Sequence, residues 1–268
     1  MTEKTSSPVV LLDRPVPHVA RLRINRPDKR NAIDHEVRQC FTDHLGALLD
    51  DGTVRAVVFG GVGGIFSAGG DIPSMVGLSE AQARERMQHI HLLCRLVAQA
   101  RIPVVSAMEG VTAGAAVGLA LLGDRIVIGR NARVLFPFLK LGLAPDWGQL
   151  LTLPRRVGLP VARRLLSDGE PVGGEEACRL GLADALSEDD QVMDKAVEIA
   201  SSLALHPLEA FARMKQRLNH PSPTLVEELA REEADQAVCL LGDDFVEGFD
   251  AFRGKRAADF IGRPGVSR

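Results

Sequence analysis

The sequence predicts an α/β fold that ends in a wholly helical region, and three features of the chain indicate this architecture. Short apolar runs of strand length alternate with longer amphipathic segments of helical period up to about residue 190. Beyond that point the pattern is helical, with breaks at Pro207, Pro221 and Pro223. No internal repeat or low-complexity stretch interrupts either part. We therefore expect an α/β core over residues 1–195 and a helical region over residues 196–268.

The first half of the chain carries the clearest strand and helix patterns. Residues 9–12 and 19–24 alternate apolar and polar side chains and predict a β-hairpin. Asp34 is a favourable N-cap residue, and apolar residues then recur on one helical face as far as Gly52. The further predicted elements are strands over 56–60, 104–108 and 126–129 and helices over 79–100, 114–122, 149–153, 160–166 and 175–180. Strands and helices alternate along the core, as the α/β class requires.

Charge and composition argue against several classes of partner. The 268 residues carry a formal net charge of −3, so the electrostatic footprint of a nucleic-acid-binding protein is absent. Aromatic residues make up 4% of the chain, with one Trp and no Tyr, which argues against base-stacking platforms and sugar-binding clefts. We expect no nucleic-acid partner and a core built from Ala, Val and Leu.

The cysteines do not form a metal or redox motif. Cys40, Cys94, Cys178 and Cys239 are scattered and show no C-x-x-C spacing. We expect free thiols in a reducing compartment and no metal site.

One apolar stretch, residues 102–123, approaches the length of a membrane span. It contains Pro103, Glu109 and several glycines, so we interpret it as a buried strand followed by a buried helix. The polar N-terminus lacks the apolar segment of a signal peptide. These features predict a cytoplasmic protein without a membrane partner.

Two other motifs are incomplete. The glycines within residues 61–64 follow a strand, as in a dinucleotide loop, but Phe66 takes the third glycine position of G-x-G-x-x-G. His89 and His91 lie two residues apart on a predicted helix and face different ways, which disfavours metal binding. The incomplete glycine motif disfavours a nicotinamide-dependent enzyme.

A glycine-rich loop, residues 66–71 (Phe-Ser-Ala-Gly-Gly-Asp), follows the predicted strand 56–60. Its small residues leave backbone N–H groups accessible, and Asp71 can cap the following turn. A second strand end leads to Gly114 and to the first N–H groups of a helix, which lack intrahelical acceptors. Two such sets of amides can converge on one carbonyl oxygen as an oxyanion hole. The alternative is that both segments are simple tight turns.

An ordered series of segments covers nearly the whole chain: INRPDKRNAI (24–33), FSAGGD (66–71), IPVVSAMEG (102–110), GAAVG (114–118), LGLAPD (141–146) and EGFDAFRGKR (247–256). This series resembles the crotonase family, the enoyl-CoA hydratase/isomerase superfamily. The resemblance implies a crotonase-like spiral of ββα units with a C-terminal helical region that forms homotrimers, often hexamers. It also implies an acyl-CoA substrate and no cofactor, since coenzyme A is carried as part of the substrate.

The same resemblance implies roles for individual residues. The oxyanion hole would consist of the backbone N–H groups of Ala68 and Ala115, and Ala115 stands where many members have glycine. The other residues expected to bind substrate or CoA are Lys29, Arg30, Ala32, Ala68, Gly69, Gly70, Asp71, Phe138, Trp147, Phe252 and Lys255. Of these, Phe252 and Lys255 match tail positions that often reach a CoA, sometimes in a neighbouring subunit.

Two positions depart from the hydratases of this family, which use two glutamates to activate water and deliver a proton. Those positions hold Gly118 and Phe138, and neither side chain can transfer a proton. Asp146 remains at a position that serves in relatives as a proton shuttle, as a nucleophile on aryl-CoA, or in a ring-forming synthase site. The aromatic residues near it in sequence predict a desolvated carboxyl with a raised pKa. The alternative is that Asp146 caps a helix beginning at Trp147.

The sequence therefore favours an enoyl-CoA isomerase with Asp146 as the catalytic base. Three alternatives stay open: an aryl-CoA-transforming enzyme, a hydratase that uses another acid, and a non-catalytic acyl-CoA-binding protein.

Overall fold

Two sheets surrounded by helices form the centre of the structure, a computed structural model that describes residues 7–261. The strands are β1 (Val10–Val16), β2 (Val19–Ile24), β3 (Ala56–Gly61), β4 (Val104–Met108), β5 (Val111–Ala113), β6 (Arg125–Gly129), β7 (Arg133–Leu135), β8 (Val172–Gly173) and β9 (Ala185–Ser187). The helices are α1 (His35–Asp50), α2 (Glu80–Gln99), α3 (Ala115–Leu121), α4 (Gln149–Val157), α5 (Leu159–Asp168), α6 (Gly174–Arg179), α7 (Val192–Ala204), α8 (Leu208–Asn219), α9 (Leu225–Leu240) and α10 (Asp243–Gly254).

The larger sheet has the strand order β1-β2-β3-β4-β6-β9, and the smaller sheet has the order β5-β7-β8. β1 and β2 form the predicted antiparallel hairpin, and the remaining neighbours in the larger sheet are parallel. Twice, a strand of the larger sheet is followed by a short strand of the smaller sheet and then by an α-helix, as β4-β5-α3 and β6-β7-α4. The α/β prediction, with its ββα units, is confirmed.

Side chains cover both faces of the larger sheet. β3 and β4 are buried along their whole length, as expected for parallel strands enclosed between layers. Phe59 and Leu119 belong to the core on the face covered by α1, α2 and α3, whereas Val58 belongs to the core beneath α7. The boundary expected at residues 195/196 falls within α7, whose Ala196 and Ala200 are buried in that second core. The division into two domains stays a prediction.

Local sequence signals explain where the long helices begin. The Asp34 side chain accepts a hydrogen bond from the Val37 N–H at 3.0 Å, which caps α1. Ser79 and Gln82 form a reciprocal capping box at the start of α2. By contrast, β5, β7, β8 and β9 each have two or three residues, too few for an alternating pattern to reveal them.

The apolar stretch 102–123 forms β4, β5 and α3, which confirms that it enters the core. Within residues 7–261, none of the helices has the length and apolar character needed to cross a bilayer.

The last three helices differ in how they pack. α8 buries Phe211, Ala212 and Lys215, and Lys215 Nζ donates to Asp124 Oδ2 at 2.8 Å. α9 contributes no buried residue, and Leu225 on it is 71% exposed. The C-terminal helices therefore leave apolar surface uncovered in the single chain.

Candidate active site

Two glycine-containing segments lie against each other beyond the ends of β3 and β4. In the loop that follows β3, the Ser67 N–H donates to the Val111 carbonyl at 3.1 Å, and the Ala113 N–H donates to the Ser67 carbonyl at 3.1 Å. A Cβ built on Gly69 would lie 2.5 Å from the Ala113 carbonyl oxygen and 3.6 Å from the Ala115 nitrogen. Gly69 has a φ of 96° and permits this close approach, because it has no side chain.

Two free amides, one on each of these segments, belong to Gly70 and Ala115. Ala115 is the first residue of α3, so its N–H has no acceptor inside the helix. Neither of these N–H groups donates to an acceptor within residues 7–261. The Ala68 N–H, by contrast, donates to the Arg30 carbonyl oxygen at 2.9 Å. The prediction that Ala68 supplies an oxyanion-hole amide is therefore wrong, because that amide is already bound within the chain.

Asp146 lies in the loop before α4 and has a strongly perturbed carboxyl group. Burial raises its pKa to about 6, while its own backbone N–H and the charge of Arg86 favour the ionised form to a lesser extent. Its Oδ1 is shielded from solvent and has no hydrogen-bond partner in the described part of the chain. The predicted desolvation of this carboxyl is confirmed, and a buried acceptor without a donor is available to a ligand.

The helix-capping alternative for Asp146 is wrong. α4 begins at Gln149 with Gly148 at its N-cap, and no side chain caps it. Asp146 takes part through its main chain, since its carbonyl oxygen accepts from the Gln149 N–H at 3.1 Å.

The aromatic residues that precede and follow Asp146 in sequence are buried. Phe136, Phe138 and Trp147 are all buried, with 1%, 5% and 1% exposure. A Cβ built on Gly114 would lie 3.8 Å from Phe138 Cζ, which places the Phe138 ring close to the start of α3. Trp147 has a φ of 53°, an uncommon and strained backbone conformation for a bulky residue.

The position of Gly118 has no room for a side chain. A Cβ added there would lie 2.3 Å from Trp147 Cβ and 3.1 Å from Gln149 Nε2. Real Cβ atoms do not approach a neighbour this closely, so Trp147 already fills the space that a side chain at 118 would need. The absence of a carboxylate at position 118 therefore follows from packing as well as from residue type.

Asn31 joins the loop between β2 and α1 to the loop after β3. It is fully buried; its Nδ2 donates to the carbonyls of Val62 and Ile65 at 2.9 and 2.7 Å, and its Oδ1 accepts from the Arg26 N–H at 2.9 Å. These bonds fix the backbone next to Arg30, whose carbonyl binds the Ala68 amide. Asn31 therefore positions the whole glycine-rich loop.

The residues expected to meet the nucleotide part of CoA lie in the same segment. Lys29 and Arg30 are exposed, and Ala32 is half-buried, with its carbonyl accepting from Arg26 Nη1 at 2.7 Å. Residues 25–29 line a surface cleft. This part of the site is open to solvent.

Three other predicted residues stand apart from these contacts. Asp71 precedes a short 3-10 helix, Ile72–Met75, but its side chain makes no capping bond; instead its carbonyl accepts from the Ser74 N–H at 3.1 Å. The capping role expected for the Asp71 side chain is thus wrong. Phe252 and Lys255 lie at the end of α10, where Phe252 is 83% exposed. Within residues 7–261, no hydrogen bond or ion pair joins these two tail residues to Asp71 or to the rest of the glycine-rich loop.

Two residues that the sequence did not single out lie in the site. The Arg86 side chain on α2 donates to Ser74 Oγ at 3.3 Å, and its Nη2 would be 3.6 Å from a Cβ on Gly70. Gln149 is fully buried, and its Nε2 is 3.1 Å from the carbonyl oxygens of both Gly114 and Asp146. Arg86 brings positive charge towards Asp146, and Gln149 ties the Asp146 loop to the start of α3.

Comparison with known proteins identifies the family of the chain. The family model for enoyl-CoA hydratase/isomerase matches residues 17–263 of the chain. The chain belongs to the enoyl-CoA hydratase/isomerase family.

This family member is 32% identical to 1,2-epoxyphenylacetyl-CoA isomerase of Escherichia coli (strain K12), over 91% of this chain and 95% of the relative. It is 31% identical to 2,3-dehydroadipyl-CoA hydratase of the same organism, over 91% of this chain and 96% of the relative. Its fold is similar to the crystal structure of an enoyl-CoA hydratase from Polaromonas sp. JS666, with a TM-score of 0.88 and 28% identity over 93% of this chain and 98% of that one. The crotonase-like fold is therefore confirmed, and the family processes acyl-CoA thioesters by more than one reaction.

No cluster of three or more His, Cys, Asp or Glu side chains with the arrangement of a metal site occurs among residues 7–261. The four cysteines of this crotonase are free and half-buried.

Proposed function

We propose that this crotonase is an enoyl-CoA isomerase that converts a 3-enoyl-CoA into the 2-enoyl-CoA, with Asp146 as the single acid–base residue. The observation that carries the proposal is the buried carboxyl of Asp146, whose pKa is raised to about 6 beside a position 118 that cannot hold a second acid. One carboxylate is sufficient for isomerisation, because a proton is moved and no water is added.

The thioester carbonyl oxygen binds in this proposal between the N–H groups of Gly70 and Ala115. Both amides are free in the described residues, and their loops are in contact through Gly69. Gly70 takes the role that the family resemblance implied for Ala68. Backbone donors held in place before the reaction stabilise the negative charge of an enolate without reorganisation.

Asp146 then removes a proton from C2 of the 3-enoyl-CoA, and the electrons form a dienolate whose oxygen carries the charge. The same carboxyl returns the proton to C4, so the double bond shifts from C3–C4 to C2–C3 and the atoms balance. A base with a pKa of about 6 is mostly ionised near neutral pH and still accepts a proton readily. Neither position 118, which has no room for a side chain, nor Phe138 offers a second acid that could activate water for hydration.

The CoA part of the substrate extends in this proposal along the exposed segment of Lys29, Arg30 and Ala32. Phe252 and Lys255 reach CoA from a neighbouring copy, since they lie far out on α10 and are not joined to the site within one chain. The protein requires no cofactor in this scheme beyond the CoA that the substrate carries.

The proposal is tested by Asp146→Asn, which keeps the shape of the side chain and removes its basicity. We expect the variant to lose isomerisation of 3-hexenoyl-CoA, followed by ultraviolet absorbance of the conjugated product, by at least about 1000-fold in kcat. Binding of hexanoyl-CoA, measured by calorimetry, should be retained. Full activity of the variant would contradict the mechanism.

A second candidate is substitution on an aryl-CoA through an aspartyl intermediate, and the aromatic surroundings formed by Phe136, Phe138 and Trp147 favour it. A covalent mass adduct after mixing with a haloaryl-CoA would identify this chemistry. Addition of water to crotonyl-CoA would indicate hydration instead. Binding of acyl-CoA esters without any turnover would indicate a non-catalytic binding protein.

We also propose that the chain assembles into a homotrimer or hexamer in the cytoplasm through its C-terminal helices. The exposed apolar residues Leu225, Phe249 and Phe252 on α9 and α10 support this, because apolar surface of this kind is typical of subunit interfaces. Light scattering after size-exclusion chromatography would measure the mass directly, and a monomer at micromolar concentration would contradict the proposal.

A further inference from the structure

Two arginines lie on the helices next to the site: Arg38 on α1 contacts His89 of α2, and Arg86 on α2 lies beside Gly70. Arg38 is on α1, one turn before Phe41, and Arg86 is on α2, one turn before Ile90. Both therefore occupy positions on the apolar stripes of their helices, where a charged side chain is unusual. The two guanidinium groups repel each other, and this repulsion adds to burial in lowering the pKa of Arg38 to about 10.

Arg38 has an unsatisfied donor. The residue is 2% exposed, and its Nη1 is shielded from solvent with no hydrogen-bond partner among the residues that the structure describes. Its Nε donates to His89 Nδ1 at 3.3 Å, so that ring nitrogen is an acceptor and the imidazole is neutral. Burial, followed by the charges of His35 and Arg38, lowers the pKa of His89 in agreement with a neutral ring. A buried cation with an unpaired N–H is costly unless an anion binds it.

Nearby carboxylates act on this charge without direct contact: Asp34 acts on both arginines, and Asp146 and Asp71 act on Arg86. Asp34 is the carboxylate that acts on Arg38, but its Oδ2 already binds Arg26 Nη1 at 2.8 Å and its Oδ1 caps α1. Within residues 7–261, Arg86 has no carboxylate oxygen within 4.0 Å and bonds Ser74 Oγ alone. The two arginines thus have no carboxylate in direct contact, and Arg38 Nη1 can still take an anionic partner.

Arg86 connects this pair to the site. Arg86 interacts with the charge of Asp146, the proposed base, and lies next to Gly70, the proposed oxyanion donor. The segment expected to bind the nucleotide of CoA is exposed, whereas Arg38 is buried. An anion that meets both arginines would therefore enter with the acyl chain, past the reacting carbons.

We infer that the acyl group of the substrate ends in a carboxylate, which Arg38 and Arg86 bind at the inner end of the acyl pocket. This inference rests on the proposed acyl-CoA site and names the class of acyl chain that it takes, a dicarboxylic acid mono-thioester. The terminal carboxylate would satisfy the free N–H of Arg38 and neutralise the repulsion between the two guanidinium groups.

The test is a binding comparison that needs no turnover. Dissociation constants are measured by calorimetry for two pairs of saturated esters of equal length: hexanoyl-CoA with adipyl-CoA, and octanoyl-CoA with suberyl-CoA. We expect the carboxyl-ended ester of at least one pair to bind more tightly than its methyl-ended partner by about tenfold or more. Arg38→Met, which keeps an unbranched side chain and helix propensity, should reduce that ratio to about one. Arg84→Met is the matched control, because Arg84 is exposed on α2 and pairs with Glu80, and it should leave the ratio unchanged.

Equal or tighter binding of the methyl-ended esters in the wild type would overturn the inference. An equal loss for both members of a pair in Arg38→Met would also overturn it, because the anion would then be a phosphate of CoA. Arg38→Lys retains the charge and should keep part of the preference if Arg38→Met does not fold. Failure of the isomerase proposal would appear as an absence of double-bond migration with 3-enoyl-CoA esters, which leaves this binding preference unaffected.

Discussion

Replacement of Asp146 by Asn should abolish catalysis and stabilise the fold at the same time. Burial raises the pKa of this carboxyl from its ordinary value of 3.8 to about 6, so its ionisation opposes folding. The folded state then binds more protons than the unfolded state between these two values, and stability falls as the pH rises from about 4 to about 6. Above about pH 7 the full penalty is present, and a shift of this size corresponds to about 3 kcal/mol.

Asp146→Asn carries no charge and avoids this penalty. We expect it to raise the midpoint of thermal unfolding by roughly 6 °C near neutral pH, and the gain should fade as the pH is lowered towards about 4. Differential scanning fluorimetry over this pH range, at one protein concentration, would measure both trends. Asp190→Asn removes an exposed carboxylate and serves as the control, with an expected change within about 0.5 kcal/mol. A variant no more stable than the wild type near pH 7, or a gain that does not depend on pH, would refute the idea of an uncompensated buried carboxylate.

Three further predictions concern the site. The kcat/KM for 3-enoyl-CoA should rise as the pH rises through about 6 and then level off, because the base must be ionised; a profile that is flat across this range would exclude Asp146 as the titrating group. Asn31→Ala should lower the free energy of unfolding by about 3 kcal/mol, measured by urea denaturation, since it removes three hydrogen bonds in a fully buried position; a loss below about 1 kcal/mol would contradict this. Gly118→Glu should destabilise the fold by about 3 kcal/mol or more through the clash with Trp147, and it should not create hydration of crotonyl-CoA; appearance of that activity would show that the space at position 118 can open.

Some features of the site were within reach of sequence reasoning. The resemblance supplied Asp146 and the two loops, and the aromatic residues near it in sequence predicted the desolvation of its carboxyl. Arg38 and Arg86 carried a signal that was missed, since each lies at a helical interval from the apolar residues of its own stripe. An arginine on such a stripe is either bound to an opposite charge or available to an anion.

Other features could not be obtained without the structure. The residues Ser67, Ala68, Gly69 and Gly70 are all small, and composition cannot tell which of their amides is free. The Ala68 amide is occupied because its N–H donates to the Arg30 carbonyl. Arg30 is distant in sequence, and its neighbour Asn31 is hydrogen-bonded to the segment that leads into the glycine-rich loop. The steric block at Gly118 likewise arises from Trp147, which reaches it through the fold.

The sequence by itself determined the α/β class, the long helices and the family, because these depend on local periodicity, capping residues and motifs that are contiguous along the chain. The tertiary structure alone decided which amides are free, that Gly118 has no space for an acid, and that the buried Arg38 has an N–H without a partner among the described residues. These properties depend on distances between segments that are far apart in sequence, and those distances are set by how the ββα units and helices pack.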